Sequence, residues 1–248
     1  MKRSFLLVLV TLFMFSILSG CSDSTSKTPI SSDVYVNDTD ADVNTDIADN
    51  SLYKPIVEEI ISAQQSKGFA LSYGTIYDVD SNGVDELIMM YDKDNVSLQG
   101  GESYGSCMVY SVYTLKDGEV ENLINEEMLY VLAGGPQGEV SVLNDNGQTL
   151  LGFKYSEIDP LNNTLYTEGK WDIYSLNDAD IKNEKEVEYG YESSSDLSTI
   201  IYSNSEVTIN GSSDKYENFE KWLNGCNPQV ILSTTDESLT LENLLPKL

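Results

Sequence analysis

Between positions 53 and 61 the apolar residues Tyr53, Ile56, Val57, Ile60 and Ile61 recur at spacings of three and four, which puts them on one face of a helix. Asn50 or Ser51 is placed to cap it, Pro55 falls near its first turn where a missing N–H is tolerated, and Gly68 marks its end. Beyond that point the chain reads as strands. Runs 71–77 and 87–91, rich in apolar, aromatic and β-branched residues, predict two strands on either side of an acidic loop. After a Gly- and Ser-rich loop at 97–106, runs 108–115 and 119–124 flank Lys116-Asp117-Gly118, a hairpin signal. Runs 128–133 and 139–143 flank a glycine cluster at 134–138, read as a turn, and Asn144-Asp145-Asn146-Gly147 joins 140–143 to 149–155 as a further hairpin. Runs 165–167 and 170–176 pair across Glu168-Gly169, and 186–191 and 199–204 add strands. Helical spacing returns at Tyr216, Phe219, Trp222 and Leu223, in a helix over 214–224 capped by Ser212 or Ser213 and stopped at Asn224-Gly225. A last short turn carries Leu241, Leu244 and Leu245 between Thr240 as cap and Pro246 as stop. Short strands joined by tight turns give an α+β fold class: a mainly antiparallel β-sheet of short hairpins with two or three flanking helices, one domain over 51–248.

The opening segment has a different pattern. Lys2 and Arg3 precede an apolar run at 5–18 that falls short of the about twenty residues a membrane-spanning helix needs but suits the core of a secretion signal. The segment ends Leu18-Ser19-Gly20-Cys21, which resembles the lipobox of bacterial lipoproteins. That resemblance implies that 1–20 is a signal peptide and that Cys21 is lipidated and becomes the first residue of the mature chain, anchored to the outer face of the cell membrane rather than spanning it. From 21 to 50 Ser, Thr, Asp and Asn dominate, a composition that cannot offset the entropy of ordering and predicts a disordered acidic tether with a reach of about 25–30 Å.

Composition then narrows the function classes. The formal net charge is −27, and removing 1–20 takes away Lys2 and Arg3 but no carboxylate, so the balance passes from 14 − 41 = −27 to 12 − 41 = −29. Such a chain repels nucleic acid and anionic headgroups, which leaves membrane attachment to acyl chains. Solubility and cation uptake remain, beside the plainer reading of an acidic surface with no specific partner. The absence of histidine removes Ser-His-Asp and Cys-His catalysis together with His-ligated zinc and haem. Cys107 and Cys226 are far apart in sequence and form either a disulfide outside the cell or two buried free thiols. Ser212-Ser213-Asp214-Lys215 matches the S-x-x-K of serine-lysine acylases but lacks their companion motifs, and helix capping explains its serines. The tyrosines with Trp171 and Trp222 suit a sheet core or a sugar-binding platform, and paired carboxylates of a hydrolase are a matter of spacing in the fold.

The remaining candidate is the acidic loop itself. In Asp78-Val79-Asp80-Ser81-Asn82-Gly83-Val84-Asp85-Glu86-Leu87, oxygen-bearing side chains stand at positions 1, 3 and 5 (Asp78, Asp80, Asn82), glycine at 6, a backbone carbonyl at 7 (Val84) and a glutamate at 9 (Glu86). That order suits Ca2+, a hard ion taking six to eight oxygens from a sharply turned loop. Position 12, where an EF-hand carries its bidentate glutamate, is Met89, and with strands on both sides the helix–loop–helix reading fails. The stretch resembles the strand–loop–strand calcium sites of FG-GAP and VCBS-type repeats, the Asp-x-[Asp/Asn]-x-[Asp/Asn]-Gly core of dockerins, and a group of bacterial lipoproteins with one such hairpin after a helix. The resemblance implies calcium at Asp78, Asp80, Asn82 and Glu86 and implies no common enzymatic activity. The glutamate at position 9, where the repeats usually have aspartate, and the single copy depart from the repeat pattern, so no propeller is implied. The plainer alternative is an Asn82-Gly83 hairpin turn in an acidic protein. Asp92 and Asp94 lack a following glycine at the offset needed to extend the site.

These features together predict a lipid-anchored extracytoplasmic binding or structural module with no recognisable catalytic motif. Its partners would be the membrane, through Cys21, and an unknown surface polymer or protein, with no nucleic acid and no oligomeric state set by the sequence. An anchored solute-binding protein and a carboxylate-dependent surface hydrolase are the alternatives.

Overall fold

The run Leu87-Ile88-Met89-Met90-Tyr91 has no polar position, so as a strand it needs cover on both faces. The computed structural model, which describes residues 49–67, 72–97, 103–131, 137–161, 163–177 and 180–248, places it inside a four-stranded antiparallel sheet. The strands are β1 (Ser72–Tyr77), β2 (Glu86–Ser97), β3 (Ser103–Lys116) and β4 (Glu119–Val131), side by side in chain order. Leu87, Met89 and Tyr91 turn to one side with Val109. There they pack against α1 (Lys54–Gln65) and α3 (Leu241–Leu244) through Tyr53, Val57, Ile61, Leu241 and Leu244. Ile88 and Met90, with Met108, Tyr110 and Val112, face the other way.

What they face is a second sheet of seven strands. It contains β5 (Gln137–Asp145), β6 (Gln148–Leu161), β7 (Thr164–Asn177), β8 (Asp180–Ser194), β9 (Ile200–Ile209), β10 (Ser212–Asp214) and β11 (Gln229–Ser233), in the order β10-β9-β8-β7-β6-β5-β11. Val140, Leu151, Phe153, Tyr174, Leu176 and Leu232 complete the core between the sheets. The opposite side of the larger sheet carries Leu143, Leu150, Trp171, Ile173 and Val187, covered by Tyr216 and Phe219 of α2 (Tyr216–Gly225). The chain is therefore an α+β fold in four layers: helices, small sheet, large sheet, helix. Each fully buried Leu, Ile, Phe or Met contributes about 1.5–3 kcal/mol.

One polar knot lies in the core between the sheets. Tyr110 donates to Asp172 Oδ2 at 3.0 Å and shares a hydrogen bond of 2.9 Å with the Tyr174 hydroxyl, while Lys170 Nζ lies 3.1 Å from Asp172 and 2.9 Å from Glu186. Burial raises the Asp172 carboxyl although Lys170 and Tyr110 oppose the rise. The phenol on one sheet and the carboxylate on the other fix how the two layers meet.

Several sequence expectations need correction. The first helical turn, a 3-10 turn at Asn50–Tyr53, is capped by Asp49, whose Oδ1 accepts Ser51 N at 3.1 Å, rather than by Asn50 or Ser51. β4 runs unbroken through 125–127, with Glu126 at φ 54 where the pairing to β3 slips. The segment after β4 joins two sheets instead of closing a hairpin, since β4 pairs only with β3 and β5 with β6 and β11. Glu168-Gly169 is not a turn: β7 continues through it in register with β6 and β8. A Cβ on Gly169 would collide with the Tyr155 carbonyl and the Tyr189 hydroxyl, so this glycine serves close packing. Ser212 and Ser213 belong to β10, and Asp214 accepts from Lys215 N (2.7 Å) and Asn218 Nδ2 (2.9 Å) at the start of α2. At the other end Gly225 stays helical and Asn227, at φ 48, takes the left-handed turn. Thr240 stands at the N-cap of α3 without a side-chain bond, and Pro246 lies within a 3-10 turn, Leu245–Lys247. β11 has no counterpart among the expected strands. The signal peptide 1–20, Cys21, the tether up to 48, Gly68, Leu71, the middle of the 97–106 loop and 132–136 of the glycine-rich connection lie outside the described residues.

Replacing Gly169 by alanine is expected to lower the unfolding free energy by about 1–3 kcal/mol, because the added methyl has backbone on one side and a ring on the other. A urea unfolding midpoint equal to that of the parent chain would return Glu168-Gly169 to a turn and refute its place in a continuous strand.

Candidate functional site

The hairpin loop lies between two strands held in register by Ser72↔Tyr91 at one end and Tyr77↔Glu86 at the other. Ser81 at φ 62 and Gly83 at φ 89 bend the loop back on itself. Gly83 has open space around it, so its requirement is the backbone angle alone. The bend aims N–H groups inward. Asp78 Oδ1 accepts Asn82 N at 3.1 Å and its Oδ2 accepts Gly83 N at 3.0 Å. Asp80 Oδ1 accepts Asn82 N at 3.2 Å, and Asn82 Oδ1 accepts Val84 N at 2.7 Å.

Glu86 opens β2 and is fully buried. Its Oε2 accepts Val79 N at 2.9 Å and its Oε1 accepts the Thr114 hydroxyl of β3 at 3.0 Å, so the carboxylate is fixed from the loop on one side and the sheet on the other. Burial pushes its carboxyl up from 4.5 to about 7. The two hydrogen bonds pull it down, and the charges of Asp80 and Asp78 add to the rise.

Asp78, Asp80 and Glu86 each offer one carboxylate oxygen, and these three oxygens lie within 4.8 Å of one another. Oxygens on opposite sides of a calcium ion are about 5 Å apart at most, so the spacing fits a single ion. The geometry thus brings three of the five expected donors together. The Asn82 amide and the Val84 carbonyl do not belong to that trio; the Asn82 oxygen is engaged with Val84 N but keeps a second lone pair. An ordinary two-residue Asn-Gly hairpin turn is not what the chain forms, since the segment between β1 and β2 runs from Asp78 to Asp85.

Asp85, which no spacing rule singled out, connects the loop to the first helix. Its Oδ2 accepts Asn50 Nδ2 at 2.8 Å and its carbonyl accepts the Tyr53 hydroxyl at 2.7 Å. The Tyr53 phenol is buried and its pKa is raised, by burial first and then by the charges of Glu86 and Asp85. Only contacts between residues distant in sequence identify this link.

The other candidates fall apart. Cys107 on β3 and Cys226 after α2 are buried free thiols, so the disulfide between them is not formed. Burial raises both thiols, which makes them unreactive. No hydrogen bond among the described residues joins Ser212 to Lys215. Trp171 is buried over Gly152, and Trp222 donates to Asp145 at 3.0 Å with Lys185 above its ring, so both tryptophans serve packing. Asp94 pairs with Lys67, and Asp92 is buried in β2 away from the trio. No described helix is long and apolar enough to cross a membrane. No protein-family model, no curated protein and no solved structure matches the chain.

Because the Glu86 carboxyl titrates near 7 in the folded protein and near 4.5 in the unfolded chain, the native state holds a proton that the unfolded state has released between those values. With divalent ions chelated, stability is therefore expected to fall as pH rises from 4.5 towards 7, the sign set by the extra proton on the folded side. Glu86→Gln should flatten that part of the profile. The check is the difference between the urea midpoints of the two proteins at about pH 5 and about pH 8.

Proposed function

We propose that the protein is a lipid-anchored, extracytoplasmic, non-catalytic binding module whose hairpin loop holds one calcium ion in a structural role. The observation that carries the calcium reading is the convergence of Asp78, Asp80 and Glu86, with Glu86 buried and fixed by β3. A buried carboxylate beside two others is unfavourable as an anion, and a divalent cation relieves all three at once. Asn82 and the Val84 carbonyl complete the donor set, and water fills the remaining positions. Through Asp85 and Tyr53 the ion would also stiffen the junction between the hairpin and the first helix. Extracellular modules of this kind bind calcium at about 0.1–1 mM, which suits a site outside the cell.

Membrane attachment runs through lipid on Cys21, and the acidic surface keeps the domain away from anionic headgroups and nucleic acid. The partner is a surface polymer or protein.

Titration calorimetry with calcium should give one site on the parent chain and none on Asp78→Ala/Asp80→Ala. Saturating calcium should raise the melting temperature of the first and not of the second. Equal shifts would remove the ion from this loop. For the anchor, Cys21→Ser should move the protein from the detergent phase to the aqueous phase of a detergent partition, and identical partitioning of both forms would refute lipidation.

A further inference from the structure

The small sheet covers only part of the large one. Beyond the Tyr110–Asp172 contact the same face of β6 to β10 continues open, and there it forms a groove of about 530 Å³. Its walls carry Tyr155, Tyr166, Glu168, Glu188, Glu206 and Asp214.

Strand register sets out the floor. Glu168 of β7 stands opposite Gly190 of β8, which stands opposite Glu206 of β9. The two carboxylates therefore project from the same face two strand spacings apart, about 10 Å, with a glycine between them. A Cβ on Gly190 would collide with the Tyr166 hydroxyl, so the end of the Tyr166 ring lies over the bare backbone of that middle strand, its hydroxyl 3.5 Å from Glu206. Lys170, the one cationic side chain among the described residues of the groove, is held by Asp172 and Glu186, which cancel its charge locally. The space left is lined in part by aromatic rings and is otherwise strongly negative. Carboxylates about 10 Å apart are too widely spaced for one metal ion, whose ligands lie within about 5 Å of each other. They match amines separated by a methylene chain, with the rings beside the chain and the cationic groups.

We propose that this groove binds a small organic polycation, an oligoamine whose nitrogens reach Glu168 and Glu206 while its methylene chain crosses Gly190 beside Tyr166. The groove is separate from the hairpin loop, so the inference stands whether or not that loop takes an ion.

Spermidine titrated calorimetrically into the full chain, with calcium at saturation throughout, is the test. The parent chain should give a saturable one-to-one isotherm. Glu168→Gln/Glu206→Gln and, separately, Tyr166→Leu should each weaken it at least about tenfold, whereas Glu58→Gln/Glu59→Gln on the exposed side of α1 should leave it unchanged. Equal weakening by the two charge pairs would mean diffuse attraction to an acidic surface and would overturn the proposal, as would absence of saturable binding or saturation by a neutral oligosaccharide instead. Amide shifts of the parent chain on adding spermidine give a readout that needs no variant. They should centre on Gly190, Tyr166 and Glu206, and changes confined to the hairpin loop or to α1 would overturn the assignment.

Discussion

The arrangement depends on β2 being apolar on both faces. A strand that alternates can rest on one layer and show the other side to water, but Leu87 to Tyr91 cannot. Helices α1 and α3 close one side and the large sheet closes the other. The residue that opens this strand, Glu86, is drawn into the same dry environment by register with Tyr77. Its burial is thus a consequence of packing the five apolar residues after it. An anion held there needs hydrogen bonds or a positive charge, and the structure supplies the former through Val79 and Thr114. The acidic loop is best understood as the end of a core strand that carries a carboxylate into the interior.

The turns were legible in the sequence because their chemistry is local. Asp117-Gly118 and Asn146-Gly147 take the paired positive φ values that favour such residues, and they close β3–β4 and β5–β6. The amphipathic helices were legible for the same reason, as Val57 and Ile61 or Tyr216 and Phe219 sit one turn apart. Gly169 misled because a glycine beside a carboxylate looks the same whether it bends the chain or makes room for a ring. Only the position of Tyr189, directly opposite in the next strand, separates the two. The division into two sheets was illegible for a related reason. Alternation reports that a face is buried without naming the layer that buries it.

Within the site, the loop positions of Asp78, Asp80 and Glu86 could be read from spacing, since a glycine-permitted bend fixes where neighbours a few residues apart must point. Asp85 could not. Its role depends on Asn50 and Tyr53, which reach it from the first helical turn and leave no local pattern. Thr114, which anchors Glu86 from β3, is equally silent in the sequence.

The same charge excess produces two kinds of acidic place in this fold, and geometry separates them. In the loop, backbone N–H groups pull carboxylates together until their oxygens lie within 4.8 Å, a spacing that anions tolerate poorly and that one compact ion would relieve. On the open face of the large sheet, strand spacing holds Glu168 and Glu206 apart and a glycine keeps the floor between them low. The extra strands β8 to β10 that create this face contribute little to the core between the sheets, which draws its large-sheet residues from β5, β6, β7 and β11. Much of β8 and β9 is nevertheless retained by packing against α2 on the opposite side, through Val187, Tyr189 and Val207. The helix thus stabilises one face of these strands, which leaves the other free to carry charge and aromatic rings that a buried face would not accommodate.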